Sequence, residues 1–177
     1  MKQRMFVAIT LPATLKLRIA RWQKIHRDLP VRYISPENLH ITLTPPWYGD
    51  AKEMITLLKT YGPTVKPFIV HFYRIVPCPT RTQPRFIWLE GKRNKQAELL
   101  KKELEEVLKV KAEKRALIPH ITLARIKPND KKFLCKSCVA EPVDWSMRIT
   151  TFSLLKSHLS PKGANYEKLT KFSLKGI

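Results

Sequence analysis

The spacing of apolar positions along this chain changes several times, and the changes mark its elements. Residues 6–11 alternate weakly up to Pro12, which predicts a strand. Over 12–28, Leu15, Ile19, Trp22 and Ile25 recur at three- and four-residue spacing with Lys and Arg between them, the pattern of an amphipathic helix stopped by Pro30. A short strand over 31–34 and turn chemistry at Ser35-Pro36-Glu37-Asn38 deliver the chain into a strand over 39–43. Pro45-Pro46 closes that strand, since neither residue donates to a ladder. Asp50 caps a second helix that runs to Tyr61 and ends at Gly62-Pro63. Strands follow over 67–77 and 85–90. The plainest helix spans 94–109, with Leu99, Leu100, Leu104, Val107 and Leu108 on one side and Lys/Glu pairs on the other. A basic loop over 111–117 leads to Pro119 and another strand. Residues 129–138 read as a short helix. Strands over 143–153, 154–158 and 166–174 complete the chain, with a loop over 157–165.

One tetrapeptide occurs twice in this pattern. His40-Ile41-Thr42-Leu43 reappears 80 positions later as His120-Ile121-Thr122-Leu123, both times in a strand setting. Because a strand alternates its faces, the His and Thr of each copy share one face and Ile and Leu the other. The spacing from Phe6 to His40 equals that from Phe86 to His120. Both stretches run strand, amphipathic helix, basic connection, His strand. We read this as a duplication giving two similar lobes in one domain over 1–177.

Composition adds a strong charge. Lys and Arg total 34 against 14 Asp and Glu, a formal net charge of +20, which favours polyanions such as RNA or DNA. The hydrophobic fraction of 44% fits a globular chain of 177 residues. No apolar run reaches the ~20 residues of a membrane span. The basic start is interrupted by Pro12 and lacks a small-residue cleavage site, so a first strand is expected rather than a signal peptide, and a cytoplasmic location with it. Cys135 and Cys138 form a lone C-x-x-C and Cys78 is remote, so no second pair completes a four-ligand zinc site.

Isolated strand or helix histidines are usually structural, and His26, His71 and His158 take that reading. The duplicated pair differs, because burying an imidazole for packing alone costs free energy unless it is hydrogen-bonded. No acid or cysteine recurs beside both copies to complete a metal site, and no nucleophile-elbow pattern is present. Two histidines titrating near neutrality can instead divide a phosphoester cleavage, one taking a proton from water and the other giving one to the leaving oxygen. Thr42 and Thr122 can donate to the non-bridging oxygens. Arg125 is the best-placed cation, although its odd offset from His120 requires it to reach around the strand end.

These residues resemble the two-histidine (2H) phosphoesterase superfamily, and within it the RNA 2′,3′-cyclic phosphodiesterases, also called 2′-5′ RNA ligase-like proteins. The likeness includes the segments 4–12, 36–43 and 119–125 and the loop Leu159-x-Pro161-x-Gly163-x-x-Tyr166. It implies a pseudo-twofold α+β fold, with two antiparallel sheets lining a central cleft and helices outside. It also implies hydrolysis of an RNA 2′,3′-cyclic phosphate to a 2′-phosphomonoester without metal or other cofactor. His40 would then be proton donor to the departing 3′ oxygen and His120 proton acceptor for water. The partner expected is RNA with a cyclic phosphate end, met by a monomer away from any membrane. Strand joining with a 5′-hydroxyl in place of water is the related possibility. A non-catalytic RNA-end binder of the same fold is the alternative from another class. The chain departs from the family at Thr44-Pro45-Pro46-Trp47-Tyr48-Gly49-Asp50, where relatives carry a Lys-Phe-Leu-Gly-Glu-like run. Trp47 and Tyr48 either stack on a base there or pack on the lobe.

Overall fold

A run of five buried residues, Met5 to Ile9, lies at the centre of strand β1 (Lys2–Thr10). Both faces of this strand are covered. Met5, Val7 and Ile9 join the main core, while Phe6 and Ala8 pack with Leu155 in a small separate cluster. The computed structural model describes residues 1–61, 64–80, 84–113, 115–126, 139–161 and 163–174.

Helix α1 (Ala13–Ile25) buries Leu15, Ile19 and Trp22, but Ile25 is 75% exposed because the helix has already turned its last residue to solvent. β2 (Val31–Tyr33) and a 3-10 turn at Pro36–Asn38 lead to β3 (His40–Thr42). An unforeseen strand, β4 (Trp47–Asp50), resumes pairing with β1 after the proline break. Helix α2 (Ala51–Thr60) starts as expected, with the Asp50 carboxylate accepting from the Lys52 and Glu53 N–H groups. Its proposed Gly62-Pro63 stop lies outside the described residues. β5 (Phe68–Cys78) and β6 (Phe86–Gly91) precede α3 (Lys95–Val107), which buries Leu100 and Leu104 and leaves Leu99 at the margin. β7 (His120–Ile126) carries the second motif. The expected helix over 129–138, with Cys135 and Cys138, also lies outside the described residues.

The C-terminal strands divide elsewhere than expected. β8 (Glu141–Ile149) and β9 (Thr151–Ser160) part at Thr150, and β9 pairs with β10 (Gly163–Ser173) as far as Ser160 opposite Gly163. The polar stretch expected as a loop is therefore largely the end of a hairpin, held by its backbone ladder rather than by apolar alternation.

The strands form two antiparallel sheets, one ordered β10-β9-β1-β3 with β4 on β1, the other β2-β7-β6-β5-β8. β10-β9-β1-β3 matches β8-β5-β6-β7 strand for strand, so the architecture is α+β and pseudo-twofold. The halves of the sequence are not the lobes, however. β5 follows the first His strand yet sits in the second sheet, and β9 follows the second yet sits in the first. β2 likewise crosses over to pair with β7. A shared apolar core joins Val7, Ile41, Leu58, Leu89, Leu104 and Ile121 behind the two sheets. β3 and β7 approach each other at the join, with Cα atoms within 8 Å. Among the described residues no helix is long and apolar enough to cross a membrane.

Candidate active site

Alternation along β3 and β7 works as anticipated. Ile41 and Ile121 are buried at 1% and 0% exposure, while His40, Thr42, His120 and Thr122 face a cleft of about 250 Å³. Ile34, Asn38, Phe86, Trp88, Arg125 and Tyr166 complete its walls.

Each imidazole is oriented by backbone. His40 Nδ1 lies 2.7 Å from the Asn38 carbonyl and His120 Nδ1 lies 2.8 Å from that of Ile118. A carbonyl only accepts, so Nδ1 carries the hydrogen in both rings and Nε2 is left to exchange protons. The Thr42 hydroxyl reaches His40 Nε2 at 3.1 Å and donates to it while that ring is neutral. Asn38 also fastens the first motif to the β9–β10 hairpin, its Oδ1 accepting the Tyr166 N–H at 3.1 Å.

Arg125 reaches the cleft by a route that simple alternation does not give. The register between β6 and β7 shifts between Ile87 and Trp88, so β7 carries one extra residue there. Leu123 and Ala124 are both buried, and the phase reverses after them. Arg125 therefore pairs with Phe86 on the cleft side, its guanidinium carbon 5.5 Å from the Phe86 ring centre. It does not wrap around the strand end. The first lobe makes the same double step: Leu43 and Thr44 are both buried and both donate to the Val7 carbonyl, at 2.9 and 3.2 Å. The residue that follows is Pro45, so no cation stands there.

The surroundings of the two rings differ. His40 sits among aromatic edges, 5.1 Å from the Phe6 ring centre and 5.0 Å from that of Tyr166. His120 lies flat on Trp88, with centres 3.9 Å apart and planes 24° from parallel. Glu90 is the β-ladder partner of His120 and is 8% exposed. It accepts from the Tyr73 hydroxyl and from Arg74 Nη2, the latter at 2.8 Å. Burial pushes both imidazoles below the ordinary histidine range, and the backbone bond at Nδ1 partly opposes it in each. Beyond that, His40 is lowered further by the positive charges of His120 and Arg125, whereas the Glu90 and Glu113 carboxylates push His120 back up.

Sequence reasoning thus located His40, His120, Thr42, Thr122 and Arg125, and all five line one cleft. It missed Phe86, Trp88 and Asn38. The signal for the two aromatics was that they alternate on β6 with buried Ile87 and Leu89. Trp47, by contrast, packs on the apolar clusters and Tyr48 is 67% exposed, so neither lines the cleft. His26, His71 and His158 lie outside it; His158 Nε2 meets a Glu167 carboxylate oxygen at 2.8 Å. Cys78 is buried and its thiol is pushed up to about 11, which makes it a packing residue.

The sequence profile of the 2′-5′ RNA ligase superfamily matches residues 11–161. The chain is 32% identical over 151 residues to the RNA 2′,3′-cyclic phosphodiesterase of Bacillus subtilis, covering 81% of this chain and 80% of that protein. It is 27% identical over 174 residues to the protein of the same name from Methanocaldococcus jannaschii, covering 96% and 99%. Among solved structures, E. coli LigT complexed with 3′-AMP superposes with a TM-score of 0.74 at 24% identity, covering 99% of this chain and 100% of that one. TT0787 of Thermus thermophilus gives 0.74 at 24% identity, covering 98% of each.

Proposed function

This chain belongs to the 2′-5′ RNA ligase superfamily, and from that premise we propose that it hydrolyses RNA 2′,3′-cyclic phosphate ends to 2′-phosphomonoesters by paired-histidine acid–base catalysis. The observation that carries the reading is the pair of imidazoles on one cleft, each with Nδ1 bound to backbone and Nε2 left for proton transfer. Water attacks phosphorus in line with the 3′ oxygen. His120 takes its proton, and protonated His40 delivers one to the 3′ oxygen as that bond breaks. The Thr42 and Thr122 hydroxyls and Arg125 meet the non-bridging oxygens, where negative charge builds. A 5′-hydroxyl in water's place would instead join two strands through a 2′-5′ linkage, with the same proton movements.

The unequal surroundings support this division of roles. An indole face favours a ring that becomes positive during the step, and so do nearby carboxylates, which suits His120 as the base. His40, among apolar edges and repelled by Arg125, gives up its proton readily once it carries one. An arriving anionic phosphate raises the affinity of both rings for protons and lets His40 load. Both histidines, both threonines and Arg125 come from one chain, so the chemistry requires no second subunit. The net charge of +20 draws RNA to the cleft and predicts binding that weakens steeply with salt.

The test is incubation with a short RNA ending in a 2′,3′-cyclic phosphate in the presence of a chelator, with the monophosphate isomers resolved. A 2′-phosphate is expected. A 3′-phosphate would reverse the bound orientation and with it the two histidine roles. No product from a pure, folded sample would leave an RNA-end binder.

A further inference from the structure

A second cavity of about 220 Å³ opens beside the cleft and shares Ile34, Asn38, Arg125 and Tyr166 with it. Its distinctive wall residue is Arg32. β2 pairs with β7 so that Arg32 and Arg125 are direct ladder partners, and ladder partners project on the same face. The hairpin between β9 and β10 fixes the far side. Gly163 has φ +121, and a Cβ there would lie only 3.0 to 3.2 Å from the Arg32 guanidinium atoms. Glycine is thus required twice, for its backbone and for the close seat it gives the guanidinium. The residues lining this cavity include two arginines with Ser35, Asn38 and Asn165, and no carboxylate. Like charges directly opposite on neighbouring strands repel, and an anion between them removes the repulsion.

We propose that this cavity, walled by Arg32 and Arg125 under the Gly163 hairpin, is a subsite for the next phosphodiester on the 5′ side of the reacting nucleotide. The enzyme would then act on RNA strand ends in preference to cyclic mononucleotides. The inference rests on the function proposed above. It follows from contiguity: Arg125 lines both cavities, so a chain whose terminal phosphate lies between the histidines carries its preceding phosphate past Arg125 toward Arg32. Arg32 does not line the reacting cleft, so it affects strand recognition and not the chemistry.

The experiment compares kcat/KM on a 2′,3′-cyclic mononucleotide with that on a dinucleotide ending in the same cyclic phosphate, for the wild type and Arg32→Gln. Equilibrium binding of the corresponding 2′-monophosphate products is measured beside it. The wild type should favour the dinucleotide about 10- to 100-fold, the worth of one charge-assisted contact. Arg32→Gln should abolish that preference with mononucleotide turnover unchanged. Equal losses on both substrates, or a wild type without preference, would overturn the subsite. If neither cyclic substrate turns over, yet the dinucleotide product binds more tightly only when Arg32 is present, the subsite stands and the hydrolytic function falls.

Discussion

The two lobes share a backbone plan and differ in what surrounds the motif. At a constant offset of 80 residues, Phe6 answers to Phe86, Ala8 to Trp88, Thr10 to Glu90, Asn38 to Ile118 and Pro45 to Arg125. The ladder agrees, with Ala8 opposite Thr42 and Trp88 opposite Thr122. Duplicated geometry supplies two equivalent imidazoles. Unlike neighbours then make one a better acid and the other a better base. The second lobe bears a cost for this, since Trp88 Nε1 is buried without a hydrogen-bond partner among the described residues. An apolar residue without that N–H would be a simpler choice for packing alone. The indole earns its place through the flat face it gives His120.

Breaking either half of the comparison should have unequal effects. His40→Ala and His120→Ala should each lower turnover by about 10²–10⁴-fold, read by steady-state kinetics on a cyclic-phosphate RNA; near-normal rates in both would remove the mechanism. Arg125→Gln should lower kcat by about 10²-fold, while Pro45→Ala, at the equivalent place, should leave it within about twofold of wild type. A comparable loss in both would show that the first-lobe position matters in a way its missing cation does not explain. Trp88→Ala should slow turnover by about tenfold at neutral pH, from loss of a ring contact worth about 1 kcal/mol and looser placement of His120. Circular dichroism separates this from unfolding.

The smallest effects concern pH. Both histidines titrate below the ordinary value of about 6.5 in the free protein. The singly protonated pair is most populated between their two pKa values, so the kcat/KM optimum should fall on the acid side of 6.5. Glu90→Gln removes a carboxylate that favours protonated His120, so the His120 titration should move to lower pH. An NMR titration of the ring in this variant measures it directly, and an unmoved curve would show that Glu90 does not act on His120.

Much of this was legible in the residues because the information was local. Alternation in His-Ile-Thr-Leu placed His and Thr on one face, and the equal spacing in the two halves signalled the pseudo-twofold plan. What could not be read depends on long-range pairing. The exchange of β5 and β9 between sheets and the crossing of β2 bring residues together that are 93 positions apart in the case of Arg32 and Arg125. The bulge at Leu123-Ala124 is set by the register against β6, so strict alternation misplaced Arg125. Trp88 and Glu90 were seen as strand residues, but only the ladder shows that they lie beside the second motif. Trp47 and Tyr48 drew attention because they interrupt the family pattern, yet that interruption forms an edge strand away from the cleft.

The division of labour between the lobes is tested most directly by changing the leaving atom. A short RNA ending in a 2′,3′-cyclic phosphate with sulfur at the 3′ bridging position has a leaving group that departs without a proton. With this substrate His40→Ala should recover most of its lost rate relative to wild type, while His120→Ala should stay slow. Recovery in His120→Ala instead would contradict the assignment and give the acid role to the second lobe.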